Sequence, residues 1–296
     1  MQAAIEAQVE LQGSGLHSGR KSSVRLLRRE GIGSPRFFWL NRSESFSFSD
    51  LAGFSRSALR STILQADDLE IRTVEHLLSA SLFFADCPVD IHCDAHEPPG
   101  LDGSALPFFQ AFAELFPEKS EAPSWREYPS NLRFEHEGPE GSLRVEPSDF
   151  FSVEYELDRP PLRQKFHLES PRHAVSEILP ARTFIFSHEW DEAKKQGLLK
   201  GCGSDSGLLF ARSQKEFEWA KVQNSELKGK TFPLLHPESE RVDQEPVKHK
   251  ILDLLGDLAL LNLALPRLRI LVRNGGHALN HLLLEQLQHE RKHSNR

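Results

Sequence analysis

The chain has 296 residues, a hydrophobic share of 39% and a formal net charge of −7. This surplus of acidic residues argues against a broad nucleic-acid-binding surface, which is normally basic, so no nucleic-acid partner is expected. The three cysteines, Cys87, Cys93 and Cys202, form no CxxC pair, which is typical of a reducing cytoplasm and excludes a disulfide framework or a cysteine-rich zinc knuckle.

Neither a secretion signal nor a membrane segment is expected. The first residues, MQAAIEAQVELQ, have neither the basic start nor the apolar run of a signal peptide. The most apolar stretch, residues 251–265, is interrupted by Asp253 and Asp257, so no transmembrane segment is predicted. A cytoplasmic location is therefore the expectation.

The first part of the chain reads as strands followed by helices. A glycine-rich turn, GSGLHSGR at 13–20, separates two loosely alternating segments. Strands are expected at 3–12, 23–27, 36–40, 45–48, 62–64 and 89–93. Helices are expected at 72–85, where apolar residues recur at helical spacing, and at 107–115.

Three polar residues in this part are candidates for a site. Glu75 and His76 are adjacent in the first turn of the helix at 72–85, so they project about 100° apart. Both can border one site only if the end of the helix faces it, and a surface Glu beside a half-buried His is the alternative. His17, in the glycine-rich turn, could line a site or simply be exposed.

A domain boundary is expected at residues 117–129, PEKSEAPSWREYP, which are proline-rich, polar and non-periodic. It predicts an N-terminal domain over 1–120 and a C-terminal domain over 130–296. Beyond the boundary, strands again precede helices, with strands expected at 132–135, 142–146, 151–157, 165–168 and 268–272. Each half therefore reads as α+β and not as an alternating parallel fold.

The organising element is the stretch EPVKHKILDLLGDL at 245–258. Its apolar residues recur at helical spacing and define one buried stripe: Val247, Ile251, Leu254, Leu255 and Leu258. His249 and Asp253 lie one turn apart on the side away from that stripe, and Asp257 extends their row. An imidazole and a carboxylate at this spacing are half of a zinc site, although such pairs also occur on solvated helix faces.

The absence of one familiar catalytic motif excludes an enzyme class. The sequence has no GxSxG, so a serine hydrolase is not supported. The glycine-rich stretch at 197–210 has no basic P-loop signature and is not read as a phosphate cradle. Near the end of the chain, the tight turn RNGGH places His277 at the start of a last helix.

Five motifs occur in order along the chain: TVEHLLSA, LDGSALPF, ARTFIF, VKHKILDLLGD and GGHALN. Together they resemble the UDP-3-O-acyl-N-acetylglucosamine deacetylases, the zinc amidases of lipid A biosynthesis, over nearly the whole chain. The resemblance implies an α+β fold of two similarly built domains, each with helices layered on a mostly antiparallel sheet. It also implies an active site between these domains.

The resemblance implies a zinc centre at defined positions. His76, His249 and Asp253 match the family's three zinc ligands, and Glu75 matches its general base. Two neutral imidazoles and one carboxylate would leave the metal with net positive charge and an open fourth position.

Further roles follow from the same resemblance. His277 matches the catalytic histidine that protonates the departing amine, and Asp257 matches the carboxylate that orients and charges it. Thr183 matches a hydroxyl that helps to hold the oxyanion. The expected substrate-contacting residues are Lys250, Phe184, Phe186 and Leu16.

The resemblance thus favours zinc-dependent removal of acetate from a UDP-linked acylated glucosamine. A second hypothesis is a catalytically silent binding protein that keeps the sugar-nucleotide pocket. Such a protein would be expected to have lost at least one of the residues that carry the chemistry. A third hypothesis is another zinc amidase with the same metal centre and a different amide substrate.

Overall fold

The computed structural model describes residues 4–39, 45–58, 60–66, 69–139, 141–203, 206–223, 232–236 and 239–294. The expected α+β fold is confirmed, because helices pack on two larger sheets in which most neighbouring strands are antiparallel. None of the helices in the described part of the chain combines the length and the hydrophobicity that a membrane span requires.

The N-terminal sheet has five strands in the order β1-β2-β8-β3-β4, and a second, smaller antiparallel sheet stands beside it. The strands of the five-stranded sheet are β1 (Ile5–Ser14), β2 (Lys21–Arg29), β3 (Arg36–Trp39), β4 (Ser45–Phe46) and β8 (Val89–Cys93). The smaller sheet consists of β5 (Ser55–Ala58), β6 (Ser61–Ala66) and β7 (Leu69–Arg72). Only the β3–β8 pair of the five-stranded sheet is parallel within the described residues.

The C-terminal sheet has six strands, with β10-β11-β17-β12-β13 in order and β9 paired to β17. Its strands are β9 (Arg126–Pro129), β10 (Phe134–Gly138), β11 (Gly141–Pro147), β12 (Ser152–Arg159), β13 (Leu162–Leu168) and β17 (Ala264–Arg273). A small three-stranded sheet consists of β14 (Phe184–Phe186), β15 (Leu208–Phe210) and β16 (Leu234–His236).

The helices, in chain order, are α1 (Phe48–Phe54), α2 (Glu75–Ser81), α3 (Leu106–Leu115), α4 (Pro117–Glu121), α5 (Pro171–His173), α6 (Ser187–Lys195), α7 (Gln214–Gln223), α8 (Glu245–Ala259) and α9 (His277–Ser294). Helix α3 packs on β1 and β2, while α8 packs on β12, β13 and β17. Since α2 contacts both α3 and α8, these three helices stand between the two larger sheets.

The end of one expected strand and the start of one expected helix differ from the sequence-based expectation. The segment expected as a strand over 45–48 ends at Phe46, because Ser47 and Asp50 form a capping box that starts α1. The helix expected over 72–85 begins only at Glu75, since the residues before Thr73 belong to β7. Thr73 has φ +56°, a conformation that ends the strand sharply and turns the chain into α2.

Residues 117–129, the expected linker, contain α4 and β9, and β9 pairs with β17. Buried side chains of both halves of the chain form one continuous hydrophobic cluster. The division into domains 1–120 and 130–296 therefore stays a prediction.

The contact between α2 and α8 depends on a glycine. A Cβ atom added to Gly256 would stand 2.2 Å from the carbonyl oxygen of Glu75. No substituent fits there, so the backbones of the two helices approach directly at the residue that begins α2. The spacing of the helices thereby sets where Glu75 stands relative to the polar face of α8.

We expect Gly256→Ala to lower the free energy of unfolding by about 1–3 kcal/mol, because the added methyl group must push the helices apart. Chemical denaturation measures this change. Gly53→Ala is the matched control, since among the described residues no atom lies within 4 Å of the corresponding Cβ position in α1. Equal denaturation midpoints for the two variants would contradict the close approach of α2 to α8.

Candidate active site

A cavity of about 1040 Å³ lies at the meeting point of the first turn of α2, the polar face of α8, the start of α9 and the strands β14 and β15. Most side chains proposed from the sequence line this cavity, namely Leu16, Glu75, His76, Thr183, Phe184, His249, Lys250, Asp253 and His277. Residues far apart in the chain thus line one cavity, as the family resemblance implied.

The three expected metal ligands form one cluster. The nitrogen atoms offered by His76 and His249 and a carboxylate oxygen of Asp253 all lie within 4.8 Å of one another, and all three residues are buried. The His249 Nε2 atom is 3.4 Å from Asp253 Oδ1. The rings of His76 and His249 stand almost perpendicular, with centroids 5.0 Å apart. Two helices therefore supply a compact donor set of two imidazoles and one carboxylate.

The tautomer of His249 is set by the backbone. Its Nδ1 atom lies 2.9 Å from the carbonyl oxygen of Ala181. Because a carbonyl oxygen only accepts hydrogen bonds, Nδ1 must carry the proton. The lone pair of Nε2 then faces Asp253 and is available to a cation, which is the usual arrangement behind a metal-binding histidine.

The charges in this cluster suit a divalent cation. Burial, assisted by the neighbouring His249, lowers the pKa of His76 to about 3, and burial also lowers the pKa of His249. Burial alone would raise the pKa of Asp253, but nearby cationic groups, led by Lys250, hold it below its ordinary value. Two neutral imidazoles and an ionised carboxylate are a donor set that fits Zn²⁺.

A second pair of ionisable groups borders the same cluster. The Nε2 atom of His277 lies 3.8 Å from Glu75 Oε1 and 3.9 Å from Asp253 Oδ2. Burial, together with the charges of Asp253 and Asp257, raises the pKa of Glu75 to about 8 against the opposing effect of His277. Burial disfavours a charged His277, but the charge and hydrogen bond of Asp257 outweigh it and raise its pKa to about 9.

Asp257 does not line the cavity and acts on it through His277. Its Oδ2 atom accepts hydrogen bonds from His277 Nδ1 at 2.9 Å and from Asn280 Nδ2 at 2.8 Å. Its Oδ1 atom accepts a hydrogen bond from the Thr62 hydroxyl. This fully buried carboxylate therefore fixes the orientation of the His277 ring and leaves Nε2 facing the cavity.

Sequence reasoning did not single out Thr62 or Asn280. Asn280 could have been found, because it follows His277 by three residues on α9 and so lies on the same helix face. Thr62 lies 195 positions from Asp257, and its strand carries no local signal for such a contact. The backbone N–H of Thr62 also donates to Glu75 Oε2 at 3.2 Å, so Thr62 contacts both Glu75 and Asp257.

Thr183 stands at the cavity wall just before β14. Its N–H donates to the carbonyl oxygen of Gly103 at 2.8 Å, and its own carbonyl oxygen accepts from Leu208 N at 2.8 Å. Gly103 has φ +78°, and a Cβ there would come within 2.1 Å of the Ser206 carbonyl oxygen. The LDGSA loop can thus support Thr183 only with glycine at this position.

Three of the four expected substrate-contacting residues line the cavity, and the fourth does not. Leu16, Phe184 and Lys250 line the cavity, and Lys250 Nζ lies 2.6 Å from Asp253 Oδ2 and 5.9 Å from the ring centroid of Phe184. Phe186 does not line it, because its side chain is buried beneath the guanidinium of Arg159. The substrate roles of all four residues stay predictions.

The cavity wall also contains charged residues that the sequence did not suggest. Glu189 of α6 binds Arg60 at 3.0 Å and Arg159 at 2.5 Å, joining three separate parts of the chain. His17 lies in the same wall, as one reading of the glycine-rich turn expected. It is buried, and neither of its ring nitrogens has a hydrogen-bond partner among the described residues.

Comparison with known proteins agrees with the motifs. The family model for UDP-3-O-acyl N-acetylglycosamine deacetylase matches residues 2–221 and 220–289. The UDP-3-O-acyl-N-acetylglucosamine deacetylase of Helicobacter hepaticus is 30% identical over 98% of this chain and 91% of its own length. The enzyme of the same name from Aquifex aeolicus is 30% identical over 99% of this chain and 94% of its own length.

A third relative is longer than this chain. The bifunctional enzyme LpxC/FabZ of Chlorobaculum tepidum is 27% identical over 97% of this chain. The chain spans 64% of the length of that relative, so the match covers one part of the bifunctional protein.

Proposed function

The chain belongs to the UDP-3-O-acyl N-acetylglycosamine deacetylase family, and we propose that it hydrolyses the N-acetyl group of UDP-3-O-acyl-N-acetylglucosamine with zinc as its cofactor. The products are acetate and the free amine, in an early committed step of lipid A biosynthesis. The relatives from Helicobacter hepaticus and Aquifex aeolicus carry the name of this activity. We place the reaction in the cytoplasm, consistent with unpaired cysteines.

One observation carries the proposal. The donor atoms of His76, His249 and Asp253 converge within 4.8 Å in a buried cluster, and Glu75 and His277 stand against that cluster from different helices. This is the combination that amide hydrolysis at a metal centre requires: ligands with an open side, a base and an acid.

A zinc ion held by His76, His249 and Asp253 would polarise the amide carbonyl and lower the pKa of water. Glu75 would accept a proton from the attacking water, because its carboxylate faces the cluster and a nearby positive charge favours its ionised form. A C–O bond forms at the carbonyl carbon, and the C–N bond then breaks. His277 would donate its Nε2 proton to the departing amine nitrogen.

Two neighbouring groups would assist these transfers. Asp257 holds the His277 ring by Nδ1 and stabilises its charged form, which keeps a proton available at Nε2. Thr183, at the cavity wall, would donate its hydroxyl hydrogen to the oxyanion that develops on the carbonyl oxygen. Lys250 would contact the substrate from the same side while its ammonium group pairs with Asp253.

The test of the proposed substrate is release of free amine from UDP-3-O-acyl-N-acetylglucosamine, compared with N-acetylglucosamine that carries neither UDP nor an acyl chain. We expect turnover of the acylated UDP-sugar by zinc-loaded protein and much slower turnover of the simple sugar, because remote binding contributes to catalysis. Equal turnover of both compounds would favour a different amidase. Binding of the UDP-sugar without turnover would favour a silent binding protein.

The pH profile tests the pairing of Asp257 with His277. His277 must be protonated to act as the acid, so activity should fall as the pH rises through its pKa. Asp257 raises that pKa, and Asp257→Asn removes its negative charge. The basic limb of kcat/KM should therefore move to lower pH while zinc content stays unchanged. A basic limb that does not move would assign this ionisation to another group.

A further inference from the structure

We propose that Arg182 and Glu245 form a positioning pair that fixes the metal centre from behind. They are not expected to touch substrate or metal. They hold the chain segment 181–183 in register with α8, and so control the orientation of His249 and the placement of Thr183. The inference rests on the proposed metal centre and adds to it the residues that set its geometry.

Arg182 and Glu245 are buried and are joined by several hydrogen bonds. The Arg182 guanidinium donates to Glu245 from Nε at 2.8 Å and from Nη2 at 3.0 Å. The backbone N–H of Arg182 also donates to Glu245, at 2.7 Å, and that of Arg241 donates at 2.6 Å. The Glu245 side chain has no exposed surface, and that of Arg182 is 9% exposed. The carboxylate thus receives four donors and binds both the side chain and the backbone of Arg182.

Residues 181–183 connect the Arg182–Glu245 pair to the site through their backbone hydrogen bonds. The carbonyl oxygen of Ala181 accepts from His249 Nδ1, Arg182 N donates to Glu245, and Thr183 N donates to Gly103 O. A displacement of Arg182 must therefore move both the acceptor of the metal-binding histidine and the residue proposed to hold the oxyanion. A shift of residues 181–183 would therefore disturb the His249–Ala181 and the Thr183–Gly103 hydrogen bonds together.

Helix periodicity places Glu245 and His249 on one face of α8. Glu245 and His249 are four residues apart, so they project from successive turns toward the same segment. The segment thereby makes a two-point contact with the helix, one point ionic and the other through the imidazole. This contact defines the rotation of the His249 ring and which nitrogen carries the proton.

Fold stability alone is a weak explanation for the pair. Burying an arginine and a glutamate costs desolvation free energy that their attraction often only offsets, so buried ion pairs are not a dependable source of stability. Geometry explains more, because a forked guanidinium fixes direction as well as distance. Loss of an outer partner of a metal ligand typically costs about 10–100-fold in metal affinity or activity.

The test measures Co²⁺ and Zn²⁺ affinity of the metal-free full-length protein by competition with a chelator, together with its melting temperature. Glu245→Gln removes the charge and keeps the size, while Arg182→Lys keeps the charge and removes the fork. We expect the dissociation constant for both metals to rise by about 10-fold or more in each variant. If Glu245→Gln does not fold, Arg182→Lys decides the question.

Asp90→Asn is the matched control. Asp90 is also buried and binds Arg29 at 2.8 Å and Arg36 at 2.6 Å, but it lies on β8 of the N-terminal sheet. The Asp90→Asn substitution should lower the melting temperature but leave the metal dissociation constants within about twofold of those of the unsubstituted protein. This result would separate a loss of stability from a loss of positioning.

Unchanged metal affinity in folded Arg182→Lys would overturn the proposal. So would an equal loss of affinity in Asp90→Asn. Because metal affinity is measured without substrate, either result is independent of whether the UDP-sugar is the substrate.

Discussion

Alanine in place of His76, His249 or Asp253 should remove bound zinc and deacetylase activity together. Each variant leaves only two protein ligands in a site whose donor atoms converge within 4.8 Å, whereas zinc centres of this kind need three. The loss of metal affinity should exceed the roughly 10–100-fold that follows from losing an outer-shell partner. Metal analysis of the purified variants and the amine-release assay measure the two quantities on the same samples.

His92→Ala is the control for these variants. His92 lies on β8 and stacks on Phe38 with ring centroids 4.3 Å apart, outside the residues that line the cavity. Its replacement should leave zinc content and turnover unchanged. If all three ligand variants kept one equivalent of zinc, the assignment of the metal centre would be wrong.

Glu75→Gln should lower kcat/KM by on the order of 10²-fold or more, the loss typical for a general base, while zinc remains bound. The substitution preserves the side-chain size, and the amide oxygen can still accept the hydrogen bond that Thr62 N gives to Glu75. The protein should therefore keep its fold and its metal. Steady-state kinetics with metal analysis of the same preparation separates the base from a ligand.

The opposite pattern would assign another role to Glu75. If zinc were lost with activity, Glu75 would be a ligand or a support for one. If kcat/KM changed by less than about tenfold, some other group would accept the proton of the attacking water.

Helix α8 shows how much of a helix the spacing of its apolar residues can predict. Its spacing predicted a helix over 245–258, and the observed helix is Glu245–Ala259. Periodicity assigned one buried stripe and left a solvated face as one reading for His249 and Asp253. That reading is wrong, since both residues are 3% exposed. The polar face is covered by α2. This close packing requires glycine at position 256, because the backbone of Glu75, which is distant in the sequence, lies against it.

The family resemblance was enough to assign the site residues. The local sequence pattern, however, could not predict that they line one cavity. Glu75, Thr183 and His277 come from different motifs, and only the packing of helices against one another brings them to one cavity. Contacts without a motif were missed altogether. Thr62 and the Arg182–Glu245 pair are examples, because each joins residues more than sixty positions apart.

Burial of an aromatic residue was equally beyond the sequence. The family resemblance implies that Phe184 and Phe186, which are two positions apart on β14, both lie near the acyl chain and sugar. The structure leaves Phe184 at the cavity and packs Arg159 over the ring of Phe186 at 5.1 Å. Which of two neighbouring aromatic rings faces a cavity depends on the side chain that covers the other.

The most direct test of the central claim is a zinc titration of metal-free protein, with acetate release from UDP-3-O-acyl-N-acetylglucosamine as the readout. The metal centre predicts negligible release without metal and a linear rise in rate that ends at one equivalent of zinc. Full activity in the metal-free protein, or no acetate release at any zinc concentration, would contradict it.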